Sequence, residues 1–309
     1  MKVNPIFQRL SLLTGAETVE ALERIKVLVF GLGGVGSWCA EALVRSGIGH
    51  IVLVDSDRVC VTNINRQVQA TTRTVGFSKV EVLAGRLREI NPGCTVEALE
   101  KVFSRNTAGE FDIKGADYVI DAIDSLTHKL DLIELASQAG VIPVTGAAGA
   151  AESTGVTPVT LYSSMGTALK LDPTQLKTAD IWETRGCPLA RLVRSGLRKR
   201  GFRGHFTVVY STERLPLHRE IGVSCGSAQC LCPRACEERA SGEGVEWCAT
   251  KKVINGSAVT VTAAAGMILA SLVIRDIHAR YGRPPEPNLE RTRFKDAPAE
   301  AATVGVSLS

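Results

Sequence analysis

Apolar positions along the first half of the chain follow two alternating rhythms. Short, nearly continuous apolar runs at KVLVFGL (26–32), HIVLVDSD (50–57), ADYVIDAID (116–124) and VIPVTGAAG (141–149) read as buried strands, and TVEALE (95–100) alternates as a strand does. Between them the apolar residues fall at helical spacing: a helix from the glycines after Leu32 to about Ser46, then KVEVLAGRLREI (79–90), then KLDLIELASQAG (129–140) with its glycine stop. Strands that alternate with helices predict an α/β fold with a doubly wound, mostly parallel sheet. Residues 1–24 read as an amphipathic helical lead-in. Beyond Gly149 the rhythm breaks into loops and short pieces, from which HFTVVYS (205–211) stands out as a strand and 258–280 as a helix.

This divides the 309 residues into a lead-in (1–24), a nucleotide-binding core (25–150), a C-terminal elaboration (151–280) and a loose tail (281–309) rich in proline, charge and small residues. The apolar run Ala258–Ile274 is interrupted by Thr260, Thr262, Gly266 and Ser271 and is 17 residues long. That is short of the ~20 that a membrane span needs, so it reads as a buried helix. The opening MKVNPIFQRLSLLTG has no apolar h-region, so a cytoplasmic protein without membrane contact is expected. In that compartment the nine cysteines are not a disulfide scaffold.

Gly31, Gly33 and Gly36 fit G-x-G-x-x-G after a strand and before a helix, the context in which that pattern binds nucleotide phosphates in Rossmann-like folds. Asp55, at the end of the second strand, stands where an acid accepts from ribose hydroxyls. Up to this point a dinucleotide and ATP fit equally. The segment DSDRVCVTNINRQ (55–67) separates them, because hydride transfer has no use for Asp57, Asn63, Arg66 and Gln67 together just past the ribose acid. Lys79 adds a second cation and Asp124 ends a further strand. Cations for a polyphosphate and an acid for Mg²⁺ suit ATP. No His or Tyr–Lys pair is placed for hydride transfer, and the retained Arg66, Lys79 and Asp124 speak against a scaffold that has lost its chemistry.

The combination of Gly-x-Gly-Gly-x-Gly, DSD, TNINRQ, VGFSK and DAIDS resembles the ubiquitin-activating-like adenylyltransferases, the superfamily of ThiF, MoeB and HesA. Within it, FQRLSLLTG, GVGSWCAEALVRSGIG, DRVCVTNINRQVQATTRTVG and DYVIDAIDS are similar to the tRNA threonylcarbamoyladenosine dehydratases. The resemblance implies adenylation of the threonyl carboxylate of a modified tRNA nucleoside, then ring closure with loss of AMP. It further implies that Gly31, Gly33, Gly34 and Gly36 line the nucleotide, that Asp55 holds its ribose and that Asn63, Arg66 and Lys79 face its phosphates. Asp124 would bind magnesium, and Arg9 would be lent to the ATP site of a partner subunit, which implies a homodimer. The same fold also adenylates the C-terminus of ubiquitin-like sulfur carriers, and a sulfur-transfer protein stays open as a partner.

Residues 185–205 carry seven Lys or Arg and no acid. An exposed helix face would account for them, but the uniform sign suits a tRNA backbone touched by Arg191, Arg194, Arg198, Lys199, Arg200 and Arg203. Cys187 lies in this segment; a thiol nucleophile is the alternative, but it reads as structural or incidental, since internal ring closure needs no thiol. Five cysteines crowd into 225–248, spaced Cys-x4-Cys-x-Cys-x3-Cys-x11-Cys. Cys225, Cys230, Cys232 and Cys248 are the preferred ligands for Zn²⁺, with Cys236 able to replace any one and an iron–sulfur cluster as the other occupant. Unligated thiols in a loop are the alternative.

Overall fold

The computed structural model describes residues 3–138, 159–216 and 255–282. Seven strands, β1 (Lys26–Phe30), β2 (His50–Val54), β3 (Thr95–Leu99), β4 (Tyr118–Asp121), β5 (Thr160–Ser164), β6 (Leu176–Asp180) and β7 (Thr207–Ser211), form one sheet. Their order is β3-β2-β1-β4-β5-β7-β6. Every pair is parallel except β6 with β7, which closes one edge antiparallel. The helices are α1 (Gln8–Thr14), α2 (Ala16–Leu22), α3 (Gly36–Arg45), α4 (Lys79–Ile90), α5 (Leu126–Gln138), α6 (Pro188–Lys199) and α7 (Val259–Tyr281).

Side chains alternate across a strand, so β1 and β2 each feed two cores. Val27, Val29, Ile51 and Leu53 pack under α2, α3, α4 and α7. Leu28, Phe30, Val52 and Val54 face the other way, against Phe103, Phe111 and the apolar sides of α5 and α6. The near-continuous apolar runs follow from burial on both faces. α4 begins and ends where its helical spacing does.

The elements beyond Gly149 extend the same sheet through β5, β6 and β7, where the apolar rhythm had given mostly loops. The run 141–149 lies outside the described residues, as do 139–158, 217–254 and 283–309. α6 was hidden by its charge: only Ala190, Val193 and Leu197 reach the core, a narrow stripe under a basic face. β4 is shorter than its apolar run. Asp121 accepts from the Ile123 N–H at 3.1 Å, and this Asx-type turn bends the chain away before Asp124.

α7 is long and apolar enough to cross a membrane by length and composition. In this fold its inner face, Val261, Ala265, Leu269, Val273 and Ile277, is fully buried in the core over α3. Its far end is pinned to the sheet: Tyr118 donates to Asp276 at 2.6 Å, and Arg280 pairs with the same carboxylate at 2.6 Å. Burial and the Asp276 carboxylate push the Tyr118 phenol up, so it stays a donor.

α3 and α4 are held together by Glu41, 4% exposed, which takes Arg86 at 2.6 Å and Arg45 at 2.8 Å. Burial pushes the Glu41 carboxyl up, but the two guanidiniums prevail and hold it below its ordinary value. A depressed carboxyl contributes its stability above the unfolded pKa and loses it as pH falls through the folded one. Glu41→Gln is therefore expected to cost about 2 kcal/mol near neutrality. In urea denaturation the gap to the parent protein stays constant above about pH 6 and closes as pH falls below about 4.

Candidate nucleotide-binding site

The connection from β1 leaves on one face of the sheet through α3, and the connection from β4 leaves on the other through α5. β1 and β4 are neighbours, so their C-terminal ends border the crevice where doubly wound sheets take ligands. The turn from β1 to α3 forms one wall. Gly31 has φ of 87°, and a Cβ there would stand 2.7 Å from the Ala122 carbonyl oxygen. A Cβ at Gly36 would overlap the Gly31 carbonyl, whereas one at Gly33 would meet nothing within 4 Å. The turn is thus squeezed against β4 on one side and open on the other, and α3 follows it directly. N–H groups of a helix's first turn lack acceptors within the helix and suit an anion.

Asp55 ties this turn to β2. One carboxylate oxygen accepts from the Leu32 N–H at 2.6 Å and the other from the Asp57 N–H at 2.8 Å. Burial pushes the Asp55 carboxyl up, Lys79 opposes and Asp57 reinforces; the net direction is upward. Lys79 opens α4 and is itself buried, its ammonium 2.7 Å from Asp57 and 3.9 Å from Asp55. Asn63 is buried in a short 3-10 turn, where its side-chain oxygen accepts from the Cys60 N–H at 2.9 Å. Arg66 lays its aliphatic stem over Gly34 and donates to the Thr62 carbonyl at 2.7 Å and to Asn65 at 3.1 Å. Burial draws its pKa down, while Cys60 and Asp124 act in the opposite sense.

Glycine turn, Asp55, Asp57, Asn63, Arg66, Gln67 and Lys79 are therefore gathered along the C-terminal edge of β1 and β2. Two features differ from the sequence expectation. The acid that ends β4 is Asp121, not Asp124; Asp124 stands exposed in the following turn. Lys79, read from the sequence as a cation for the phosphates, has its ammonium against two acids. Sequence reading also missed Gln69, which is buried beside Gln67 and donates to the Leu32 carbonyl at 2.8 Å. Its alternation with Gln67 in NRQVQ was the available signal. The first turn of α7 completes the wall: Thr262 abuts Gly34, and Asn65 donates to the Ser257 carbonyl at 2.9 Å.

The remaining candidates lie elsewhere. Arg9 is exposed on α1, beside Leu10 and Leu13, which line a groove of about 360 Å³ with Ser271, Ile274, Arg275 and His278. At 1.5 Å per helical residue those α7 positions lie roughly 14 Å or more from Thr262, so α1 is set well apart from the crevice of its own chain. The basic segment is split in use. Arg191, Arg198, Lys199 and Arg203 are exposed, with Arg198 over the Trp182 ring at 5.3 Å. Arg194 instead donates to the Thr184 hydroxyl, and Arg200 pairs with Asp131 at 2.8 Å and Glu134 at 3.0 Å. Cys187 is buried at the N-cap of α6. Cys225, Cys230, Cys232, Cys236 and Cys248 lie outside the described residues. Among the described residues no group of three His, Cys, Asp or Glu is placed to hold a metal.

The ThiF family profile matches residues 7–301. This chain belongs to the ThiF family. Two members of comparable length are similar to it. The tRNA threonylcarbamoyladenosine dehydratase of Bacillus subtilis is 40% identical over 221 residues, covering 70% of this chain and 80% of that protein. The one from Escherichia coli is 34% identical over 278 residues, 88% of this chain and 92% of the relative. The crystal structure of the Escherichia coli enzyme in complex with ATP superposes with a TM-score of 0.69 at 29% identity, over 91% of this chain and 98% of the other. The fold is thus common to both.

The contrast between two neighbouring glycines gives a test of the turn. Gly31→Ala, with its positive φ and the Ala122 carbonyl in its way, is expected to lose about 2–3 kcal/mol of stability. Gly33→Ala, facing open space, is expected to stay within about 0.5 kcal/mol of the parent in thermal denaturation.

Proposed function

We propose that this chain is an ATP-dependent adenylating enzyme that dehydrates threonylcarbamoyladenosine in tRNA. The observation that carries the reading is the convergence of Arg66, Lys79, Asp55 and Asp57 on the glycine turn at the switch point, a charge pattern suited to a nucleoside triphosphate. The similarity to dehydratases over nearly the whole chain directs it toward the tRNA nucleoside.

A carboxylate is a poor electrophile because its leaving group would be oxide. On this reading a threonyl carboxylate oxygen attacks the α-phosphorus of ATP and pyrophosphate leaves with the electron pair of the broken P–O bond. A nucleophile of the same side chain then attacks the acyl carbon, the ring closes, and AMP departs with the former carboxylate oxygen. Gly31, Gly33, Gly34 and Gly36 line the phosphates, Asn63, Arg66 and Gln67 bound them, and Asp55 takes the ribose hydroxyls. Lys79 neutralises Asp55 and Asp57, so that acids beside a polyanion do not repel it. Asp124 would hold the magnesium ion of the nucleotide. The residues fit that ion, because Mg²⁺ is commonly held by one or two carboxylates together with substrate phosphates and does not need a three-carboxylate cage. When bound, it neutralises the departing pyrophosphate.

The enzyme acts as a homodimer on this proposal, with Arg9 of the partner subunit reaching each site. Leu12 and Leu13 on α1 are 83% and 80% exposed, an apolar pair beside Arg9 that a second copy would cover. The tRNA backbone lies along Arg191, Arg198, Lys199 and Arg203, with Arg194 and Arg200 bracing the helix that presents them. Cys225, Cys230, Cys232 and Cys248 remain a proposed Zn²⁺ or iron–sulfur site on spacing alone, and a sulfur-transfer protein a proposed partner. The setting is cytoplasmic.

Exchange of labelled pyrophosphate into ATP, run with and without tRNA bearing threonylcarbamoyladenosine and followed by mass spectrometry of the nucleosides, tests the reading. Exchange that depends on the modified tRNA, with loss of one water from the nucleoside, supports it. Exchange that ignores tRNA and responds to a ubiquitin-like sulfur carrier moves the chain to the other branch, and no exchange with either sinks adenylation. Arg66→Ala is expected to lower the exchange rate at saturating ATP by a factor of about 10²–10³. Reversing charge at Arg191 and Lys199 is expected to weaken tRNA binding and flatten its salt dependence, read by filter binding across a salt series. Arg200→Ala should instead lower thermal stability, leaving that salt dependence unchanged.

A further inference from the structure

Beneath the crevice lies a buried charge cluster for which the adenylation chemistry has assigned no role. Asp121 ends β4 and Lys129 stands near the start of α5, and both side chains are fully buried. The Lys129 ammonium donates to Asp121 Oδ2 at 2.7 Å, to Ser163 Oγ at 3.3 Å and to the Ser164 carbonyl at 3.0 Å. Asp121 Oδ2 also accepts from Ser163 Oγ at 2.6 Å, and Oδ1 accepts from the Ile123 N–H at 3.1 Å. The three ammonium protons each have an acceptor, and both carboxylate oxygens are engaged.

Stability alone does not explain such a cluster. A buried ion pair commonly gains nothing over apolar residues of the same volume. Lys129 also sits near the positive end of a helix dipole, where a cation is disfavoured. What an apolar pair could not do is hold backbone atoms at fixed points. The cluster grips three chain ends together: the last residue of β4, the start of α5 and the last residues of β5. Between Asp121 and Lys129 runs the turn Ala122–Ser125, which carries Asp124. The Ala122 carbonyl of that turn is the atom against which Gly31 is squeezed.

We propose that Asp121, Lys129 and Ser163 are positioning residues for the nucleotide reaction. They hold the Ala122–Ser125 turn so that Asp124 keeps its place and the Ala122 carbonyl stays against the glycine turn. The pair is neutral as a whole and fully enclosed, so it acts through geometry and not through its field on the phosphates. The inference rests on the adenylation reading of the crevice, and one of its two readouts does not depend on that reading.

The first readout is hydrogen exchange of the Ile123 amide in the full-length protein without nucleotide. The second is tRNA-dependent pyrophosphate exchange, separated into kcat and KM for ATP. The double substitution Asp121→Leu with Lys129→Met removes the pair and leaves no unpaired charge, so folding can persist. It is expected to speed Ile123 exchange about tenfold or more and to lower kcat about thirtyfold, with KM for ATP changed by less than about threefold. Ser163→Ala, a milder change, should move both readouts in the same direction by about three- to fivefold, and Ser163→Thr, which keeps the hydroxyl, should restore them. Unchanged kcat in the folded double variant overturns the proposal, as does Ile123 exchange that speeds up without loss of kcat. If the double variant does not fold, unchanged kcat in Ser163→Ala overturns it. A parent protein that adenylates nothing defeats the reading of the crevice, whereas unchanged Ile123 exchange in the variants refutes the cluster's grip on the turn by itself.

Discussion

The architecture of the crevice depends on one close approach, that of the Gly31 backbone to the Ala122 carbonyl. β1 and β4 are hydrogen-bonded neighbours with Phe30 opposite Asp121, so the chains leaving them start a strand's width apart. One must turn tightly to reach α3 while the other turns away to α5. The space between them admits no side chain on the inner side of the first turn. Once the turn is set, the Leu32 N–H falls to Asp55, the Leu32 carbonyl to Gln69 and the Gly33 carbonyl to Ser37. The wall of the site is thus built of backbone held by the side chains of Asp55, Gln69 and Ser37.

Charge around this wall is arranged in compensated sets. Lys79 lies against Asp57 and Asp55, and Lys129 on Asp121. Each set brings a cation and an acid under the same roof, so the crevice can contain several ionised groups without a large net field in the absence of ligand. A polyanion entering it meets cations already fixed in direction by their neighbours. Little reorganisation is then left for the reaction itself, which is the physical content of preorganisation.

Sequence reading reached the glycine turn, Asp55 and α4 because each rests on a local rule: chain reversal, strand end, helical spacing. It failed where the determinant was tertiary. β5 and β6 gave no clear rhythm, since LYSS and LKTAD mix polar and apolar residues whose burial depends on strands and helices many positions away in the chain. α6 shows a stripe of three apolar residues under a basic face, which a composition-weighted eye takes for surface. Lys129 and Asp121 are eight residues apart and look like any solvated pair until the fold turns both inward. The same blindness assigned the end of β4 to Asp124: nothing in VIDAIDS tells which of the two acids bends the chain, and it is Asp121's hydrogen bond to Ile123 that does.

The packing of α7 on α3 has a consequence for the life of the chain before it is finished. α3 spans Gly36–Arg45 and the helix that covers it begins only at Val259. At ribosomal rates of about 5–20 residues per second, an interval of some ten to forty seconds separates the two. Throughout that interval α3 lacks the part of its cover that α7 supplies. The nascent protein therefore carries an open hydrophobic flank for most of its synthesis, a surface that holdase chaperones recognise and that neighbouring nascent copies on one message can join. Nucleotide can meet a complete wall only once Thr262 has been made and α7 has docked. Completion of the crevice is thus set by α7, although its chemistry is written near the start.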